Sequence, residues 1–259
     1  MNIIALIKQV PDTYSERKLR AEDGLLDRAA SDSVIDEISE RTVEAALQLT
    51  ESHGGEVTVL CMGPGSAADA IRKALSMGAD KAVHLSDDAL AGSDVAATGY
   101  ALAKALESEA PDLVLLGQQS DDGECYTIGA VVAEHLSMPS LTQVIKMDVE
   151  SEGLRCERQA EYGYDTVQVK LPAVISVGDA INEPRYPSLK AIMGAKKKPL
   201  DTVSAGDVGI DPAKVGGENS AAQWVAAKAE NGAMVPVVPR TYQSPTSSGR
   251  ERNGASPCM

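Results

Sequence analysis

Between Gly117 and Gly129 the chain reads GQQSDDGECYTIG, a loop of small, hydroxyl and acidic residues set between two apolar segments. The run before it, Leu113–Leu116, has the character of a buried strand, and Ile128–Leu136 after it resumes a helical period. A strand, a loop and a helix start in that order aim backbone N–H groups and a helix N-terminus at a ligand crevice, which suits the phosphate of a nucleotide. Asp121, Asp122 and Glu124 could instead hold Mg²⁺, since hard cations take carboxylate oxygens, although a run of this kind is more often a solvated acidic loop. The small residues make better sense as backbone donors to an anion.

Other chemistries lack their signatures. No GxGxxG follows the first apolar run, and neither GxxxxGK[ST] nor GxSxG occurs, so the two common phosphate cradles and the hydrolase elbow are all missing. The four cysteines (Cys61, Cys125, Cys156, Cys258) and three histidines (His53, His84, His135) have no metal-ligand spacing, so no metal site is expected, and thiols idle in a reducing compartment are the plain reading. A net charge of −14 leaves only short local basic runs and argues against nucleic acid as a partner. No apolar run approaches the ~20 residues of a membrane span, and MNIIALIKQV lacks the features of a secretory leader, so the expectation is a cytoplasmic protein that is not integral to a membrane.

The elements that must position the loop follow from periodicity. With no phenylalanine and only 3% aromatics in 259 residues, the core must be built from Val, Leu, Ile, Ala and Met, which suits strands sandwiched between helices. Ile3–Val10 predicts a first strand closed by Pro11-Asp12, and the polar stretch 13–33, with Gly24, predicts a surface excursion. Asp36–Glu51 is a helix with acids in its first turn. Strand and helix then alternate: Glu56–Met62, Ala67–Met77 after the Gly63-Pro64 turn, Lys81–Leu85, Val95–Leu106, and the opening stretch itself. Such alternation means βαβ units and a doubly wound α/β fold with a mostly parallel sheet. From Thr142 to Lys170 the period becomes two, predicting a small antiparallel hairpin piece, before Leu171–Val177 returns to the core. Asn182–Lys198 pairs two prolines with a short helical pattern ending in three lysines, which either oppose a helix dipole or form a docking surface. The division expected is a nucleotide-binding domain over 1–200 and a C-terminal arm over 201–259, disordered in part from about 232, with Trp224 packed somewhere.

Several blocks in collinear order resemble the β subunit of electron transfer flavoprotein: KQVPD (Lys8–Asp12), DEI and VEAAL (Asp36–Ile38, Val43–Leu47), MGP (Met62–Pro64), IRKALSMGADKAV (Ile71–Val83), DLVLLGQQ (Asp112–Gln119), KLPAVIS (Lys170–Ser176) and NEPRYPSLKAIMGAKKK (Asn182–Lys198). The resemblance runs from Ile3 to about Gly209. It implies an adenine-nucleotide α-hydrolase-like fold and a heterodimer with an α subunit that holds most of one FAD. Such a carrier takes electrons from acyl-CoA or related dehydrogenases and passes them to a quinone oxidoreductase, so the chain itself is not an enzyme. It further implies a structural AMP, or in some members a second FAD, near Leu6, Ile7, Lys8, Gln9, Val10, Ser33, Asp36, Met62, Gly63, Pro64, Asp122, Gly123, Cys125, Tyr126, Thr127, Ile128 and Gly129. By the same resemblance Tyr14 stands on the flavin side, and Leu189 is a docking anchor with Arg185, Tyr186, Ile192, Met193, Lys190, Lys196, Lys197 and Lys198 around it.

The chain departs from the family at four places, one of them the stretch from Arg158 to Ser176, where Arg158, Glu161, Gly163 and Pro172 match the pattern and Tyr162 and Asp165 do not. Ser33-Val34 replaces a common Asn-Pro start, Tyr126-Thr127-Ile128-Gly129 replaces an Asn-Gln-Thr-Gly string, and Gly232–Met259 does not resemble the arm that embraces the α subunit. A hydrolase of the same fold, or a nucleotide-binding protein working alone, would instead need a glycine grip on pyrophosphate or stability without a partner.

Overall fold

A computed structural model describes residues 1–20, 25–151 and 153–222, with the backbone of 229–230 and 233–234. The expectations for Gly24, Trp224 and the tail beyond residue 234 lie outside the described residues.

The chain begins with β1 (Asn2–Ile7), β2 (Gln9–Pro11), β3 (Ser33–Ile35), α1 (Glu37–His53), β4 (Glu56–Met62), α2 (Ala68–Met77) and β5 (Lys81–Leu85). It continues through α3 (Val95–Glu109), β6 (Leu113–Gly117), α4 (Ile128–Leu136), β7 (Ser140–Glu150), β8 (Gly153–Ala160), β9 (Gly163–Val169), β10 (Ala173–Val177), α5 (Leu189–Ala195) and β11 (Leu200–Val203), followed by the short ladder β12–β13 (Ala229–Glu230, Ala233–Met234). Nine strands form one sheet in the order β11-β5-β4-β1-β6-β10-β7-β8-β9. The strands from β11 to β7 run parallel to their neighbours, and β8 and β9 are antiparallel. From β1 the order runs to β4 and β5 on one side and to β6 on the other, so the winding reverses there. This is the doubly wound α/β arrangement expected.

Helices cover both faces because alternate residues of each strand point to opposite sides. Ile3, Ala5 and Ile7 of β1 join Val57, Val59 and Cys61 of β4 beneath α1 and α2. Ile4 and Leu6 join Leu60, Val114 and Leu116 beneath α3 and α4. Each fully buried Leu or Ile contributes about 1.5–3 kcal/mol relative to exposure, so two apolar layers without phenylalanine suffice for a core.

Two local outcomes differ from the expectation and a third extends it. The first strand does not run on to Val10: Lys8 leaves the sheet because its N–H donates to Ser39 Oγ (3.1 Å) and its carbonyl accepts from Asp36 N (3.0 Å). Beyond that break Gln9–Pro11 pairs antiparallel with Ser33–Ile35. The antiparallel piece expected of the period-two stretch is present as β7–β9 and extends the main sheet as its edge. Its strand β7 is parallel to β10 over Ser140–Val144, bends where Gln143 takes a φ of +58°, and then pairs antiparallel with β8. Finally, β11 adds a parallel edge beside β5, a strand that its exposed Asp201 and Thr202 conceal from any apolar pattern.

Candidate functional site

A cleft of about 580 Å³ opens at the carboxyl ends of β1, β4 and β6, where the winding reverses. Ligands of open α/β sheets bind at such a crevice. Its floor carries Leu6 and Ile7 from β1, Lys8 just beyond it, Met62 from β4, and Leu116 and Gly117 from β6. Gly117 is required there, because a Cβ at that position would lie 2.5 Å from Ile38 Cγ2 where α1 crosses the strand end. One wall is the start of α1, with Asp36, Ile38 and Ser39; the opposite wall is the start of α3, with Ser93, Asp94, Val95, Thr98 and Leu102. The loop supplies Gln119, Ser120, Gly123, Cys125 and Ile128.

Charges in this cleft are tied together by pairs distant in sequence. Lys8 Nζ lies 2.6 Å from Asp122 Oδ1 and 3.2 Å from Ser120 Oγ, and Arg28 Nη2 lies 2.5 Å from Asp122 Oδ2. Arg17 donates to the Asp121 carbonyl at 3.0 Å. Burial pushes the Asp122 carboxyl up, but the Lys8 charge and the hydrogen bonds from Lys8, Arg28 and Ser120 outweigh it and hold the group at about 2. Asp36, with no exposed surface, caps α1 through Ile38 N (3.3 Å) and accepts from Asp121 N (3.2 Å). Burial, then the Asp121 charge, pushes its carboxyl from 3.8 up to about 6.

The two carboxyls therefore have opposite pH signatures. Asp122 stabilises the fold above the ordinary carboxylate range and loses that contribution as pH falls toward about 2. Asp36 contributes most below 3.8 and progressively less as pH rises through about 6. Between pH 7 and pH 5 the thermal midpoint of the Asp36→Asn variant should move less favourably than that of the wild type. A gap between the two that stays constant with pH would show that Asp36 is not strained.

Three cations (Lys8, Arg17, Arg28) thus face four carboxylates (Asp36, Asp94, Asp121, Asp122), so net charge does not draw an anion into this cleft. Backbone donors must add to Lys8 and Arg28, whose side chains stay 44% and 53% exposed beside Asp122. Of the helices that begin at its rim, α1 and α3 are capped by the Asp36 and Asp94 side chains, whereas Thr127 gives α4 no side-chain cap. The free first-turn N–H groups of α4 are the natural seat of a phosphate. Leu6, Met62, Leu102 and Leu116 offer an apolar wall suited to a base.

The residues singled out in the sequence separate into groups. Leu6, Ile7, Lys8, Asp36, Met62, Gly123, Cys125 and Ile128 line the cleft, and Asp122 stands directly behind Lys8 and Arg28. Thr127 and Gly129 belong to the α4 start, with Gly129 packed on Leu116, while Tyr126 is half-exposed beside them. Gln9 bonds to Ser66 instead of the cleft, Val10 is buried in the β2–β3 hairpin, Ser33 is exposed on β3, and Gly63 and Pro64 turn away to meet β5 and α2. Tyr14 is 93% exposed on the excursion after β2. Of the carboxylates considered for Mg²⁺, Asp122 is taken by two cations, and Glu124 is exposed.

Sequence reasoning missed Arg28 and the α3 wall. Arg28 lies in the polar excursion, where nothing local distinguishes it. Asp94 does carry a signal, an acidic residue just before an amphipathic run. Its Oδ1 caps Ala97 N at 2.9 Å, and its Oδ2 accepts from Ala222 N at 2.8 Å, so the same wall also holds the C-terminal segment.

A second surface lies over α1 and α2. Tyr186, Leu189 and Met193 are 97%, 75% and 66% exposed, with Ile192 half-exposed beside them. Lys190, Lys196 and Lys197 are exposed around them and form no ion pair among the described residues. Arg185 and Lys198 are committed elsewhere. Arg185 forks across Glu44 and Glu51 of α1. The Lys198 ammonium donates to the Leu75, Gly78 and Ala79 carbonyls at the end of α2, at 3.0, 3.0 and 2.6 Å. That lysine opposes the dipole of α2, whereas the expectation is that the basic run opposes the dipole of the short helix it ends.

Residues 23–208 match the family model described as the electron transfer flavoprotein domain. The chain is 51% identical over 225 residues to the electron transfer flavoprotein subunit beta of Mycobacterium bovis, covering 85% of each chain. It is 40% identical over 232 residues to the subunit beta of Thermoanaerobacterium thermosaccharolyticum, covering 89% of each. To the caffeyl-CoA reductase-Etf complex subunit CarD of Acetobacterium woodii it is 37% identical over 218 residues, covering 83% of each. Among the described residues no helix is long and apolar enough to cross a membrane. With this likeness over most of its length, the chain belongs to the electron transfer flavoprotein family on its β-subunit side, a family of electron carriers.

Proposed function

We propose that this chain pairs with an electron transfer flavoprotein α subunit to form a carrier that takes electrons from acyl-CoA or related dehydrogenases and delivers them to a quinone oxidoreductase. FAD shared with the α subunit supplies the reversible redox chemistry. This chain's part is to shape the flavin's surroundings, with Tyr14 presented on the excursion, and to offer the Leu189 surface to electron donors. The unpaired Cys61, Cys125 and Cys156 suit a reducing compartment, and we place the carrier in the cytoplasm.

AMP is the ligand proposed for the cleft. The observation that carries this is the uncapped start of α4 facing the same compact cavity as Lys8, Arg28 and an apolar wall. Its volume is that of a site for one small molecule. Lys8, Arg28 and the α4 amides would hold the phosphate, and Leu6, Met62, Leu102 and Leu116 would pack the base. Nothing in the cleft is arranged to split the nucleotide, so its role is to tie β1, α1 and the loop together.

Co-expression with a cognate α chain tests the reading. A yellow complex is expected, and denaturing it should release FAD and AMP in comparable amounts by mass spectrometry. Recovery of FAD alone, at two per heterodimer, would assign the cleft to a second flavin; failure to copurify would overturn the heterodimer itself.

A further inference from the structure

The Leu189 surface is built without help from the sheet. Residues 182–188 belong to no strand or helix, and α5 is only 7 residues long, so neither element is stable by itself. Its attachments come from α1 and α2. Arg41 and Asn182 exchange hydrogen bonds, Arg41 Nη1 donating to the Asn182 carbonyl and Asn182 Nδ2 to the Arg41 carbonyl. Arg72 Nη1 donates to the carbonyls of Ala195 and Lys198 at the other end. Between them stands Arg185, whose Nε and Nη2 lie 2.6 and 3.0 Å from the two Glu44 oxygens and whose Nη1 and Nη2 lie 2.5 and 3.1 Å from those of Glu51.

We propose that Arg185 is a positioning residue for docking: by locking residues 183–188 to α1 through Glu44 and Glu51, it presents Tyr186 and Leu189 in the conformation a redox partner binds. This rests on the reading of the Leu189 surface as the docking site. In sequence Arg185 reads as one more cation of a basic rim. In the structure its guanidinium is spent inward, and the charges left to face a partner are Lys190, Lys196 and Lys197.

The chemistry of the pair supports a locked geometry. Glu44 is nearly sealed, with a side chain only 5% exposed, and removing its partner would leave a buried charge with Gln48 as its remaining support. Burial pushes the Glu44 carboxyl up, yet the hydrogen bonds from Arg185 and Gln48 outweigh that and hold it below the usual carboxylate range. A planar fork can span two carboxylates at once, which an ammonium cannot. Ordering such a segment before the encounter removes an entropy cost that would otherwise fall on association.

The test uses the heterodimer co-expressed with its α subunit, assayed as the electron acceptor of an acyl-CoA dehydrogenase turning over its acyl-CoA. Arg185→Gln and Glu44→Gln should each raise KM for the heterodimer by about tenfold at unchanged kcat and unchanged flavin content, as expected for loss of preorganisation. The double variant should be no worse than either single one, Arg185→Lys should fail to restore KM, and the exposed Glu51→Gln should have the smallest effect. Amide hydrogen exchange over 183–193 should quicken in each of the first three variants. If Arg185→Gln raises KM while Glu44→Gln does not, Arg185 touches the partner directly and the positioning role is overturned, while the docking surface stands. If neither matters although Leu189→Ala does, the positioning role is again overturned. If none of the three changes KM, the docking reading falls with it.

Discussion

Leu189→Ala should slow reduction of the proposed heterodimer by its dehydrogenase about a hundredfold at subsaturating carrier and should leave its flavin and nucleotide content unchanged. An anchor at the centre of an interface is worth about 2–4 kcal/mol, which corresponds to roughly 30- to 1,000-fold. Leucine is not a favoured hot-spot residue type, so the expectation rests on placement. Leu189 opens α5 directly after the Ser188 cap, and three quarters of its surface meets solvent. Tyr186, Ile192 and Met193 surround it, an apolar group with no role in the core. Truncating an exposed side chain shifts stability by only about 0.5 kcal/mol, so a large kinetic effect could not be ascribed to unfolding. Stopped-flow reduction of wild type and variant at matched concentrations measures it, and equal rates would remove the docking role.

Lys8→Met should weaken AMP binding by about 10- to 150-fold, the range for losing a hydrogen bond to a charged group of roughly 1.5–3 kcal/mol. The residue follows β1 with its ammonium at the cleft, 2.6 Å from Asp122 and beside Ser120. Methionine keeps the stem and discards the charge. The loss also reaches Asp122, whose buried carboxyl would keep Arg28 as its remaining cationic partner. Its folded pKa would then rise from about 2 toward the ordinary range, so the variant should lose loop stability at a higher pH on acidification than the wild type does. Calorimetric titration with AMP and an acid-unfolding profile check the two halves separately. An unchanged AMP affinity would place the phosphate away from Lys8.

Most of the sheet was legible because its signals are local. Val57, Val59 and Cys61 alternate along one strand, Val43, Ala46, Leu47 and Leu49 recur at helical spacing, and Gly78 stops α2, all within a few residues of one another. The extent of β1 is not legible because Ile3–Val10 reads as one run, whereas the groups that draw Lys8 out of the sheet, the Ser39 hydroxyl and the Asp36 N–H, lie about thirty residues on. Strand β11 escaped notice because an edge strand with exposed Asp201 and Thr202 has no apolar run to betray it.

The loop between β6 and α4 reads from residue types alone as a candidate ligand loop, since small residues before a helix start are a local fact. Its wiring is not legible in this way. Lys8 and Asp122 are 114 positions apart, and Arg185 and Glu44 are 141 apart. The first pair meets because parallel strands return to the same end of the sheet after each crossover, and the second because the segment 182–188 is held along α1. Sequence by itself determined the alternation of elements, the buried faces and the exposed chemistry of the loop. Tertiary structure decided which cations are spent on internal carboxylates and which remain for a ligand or a partner, because charge pairing acts across space and leaves no period along the chain.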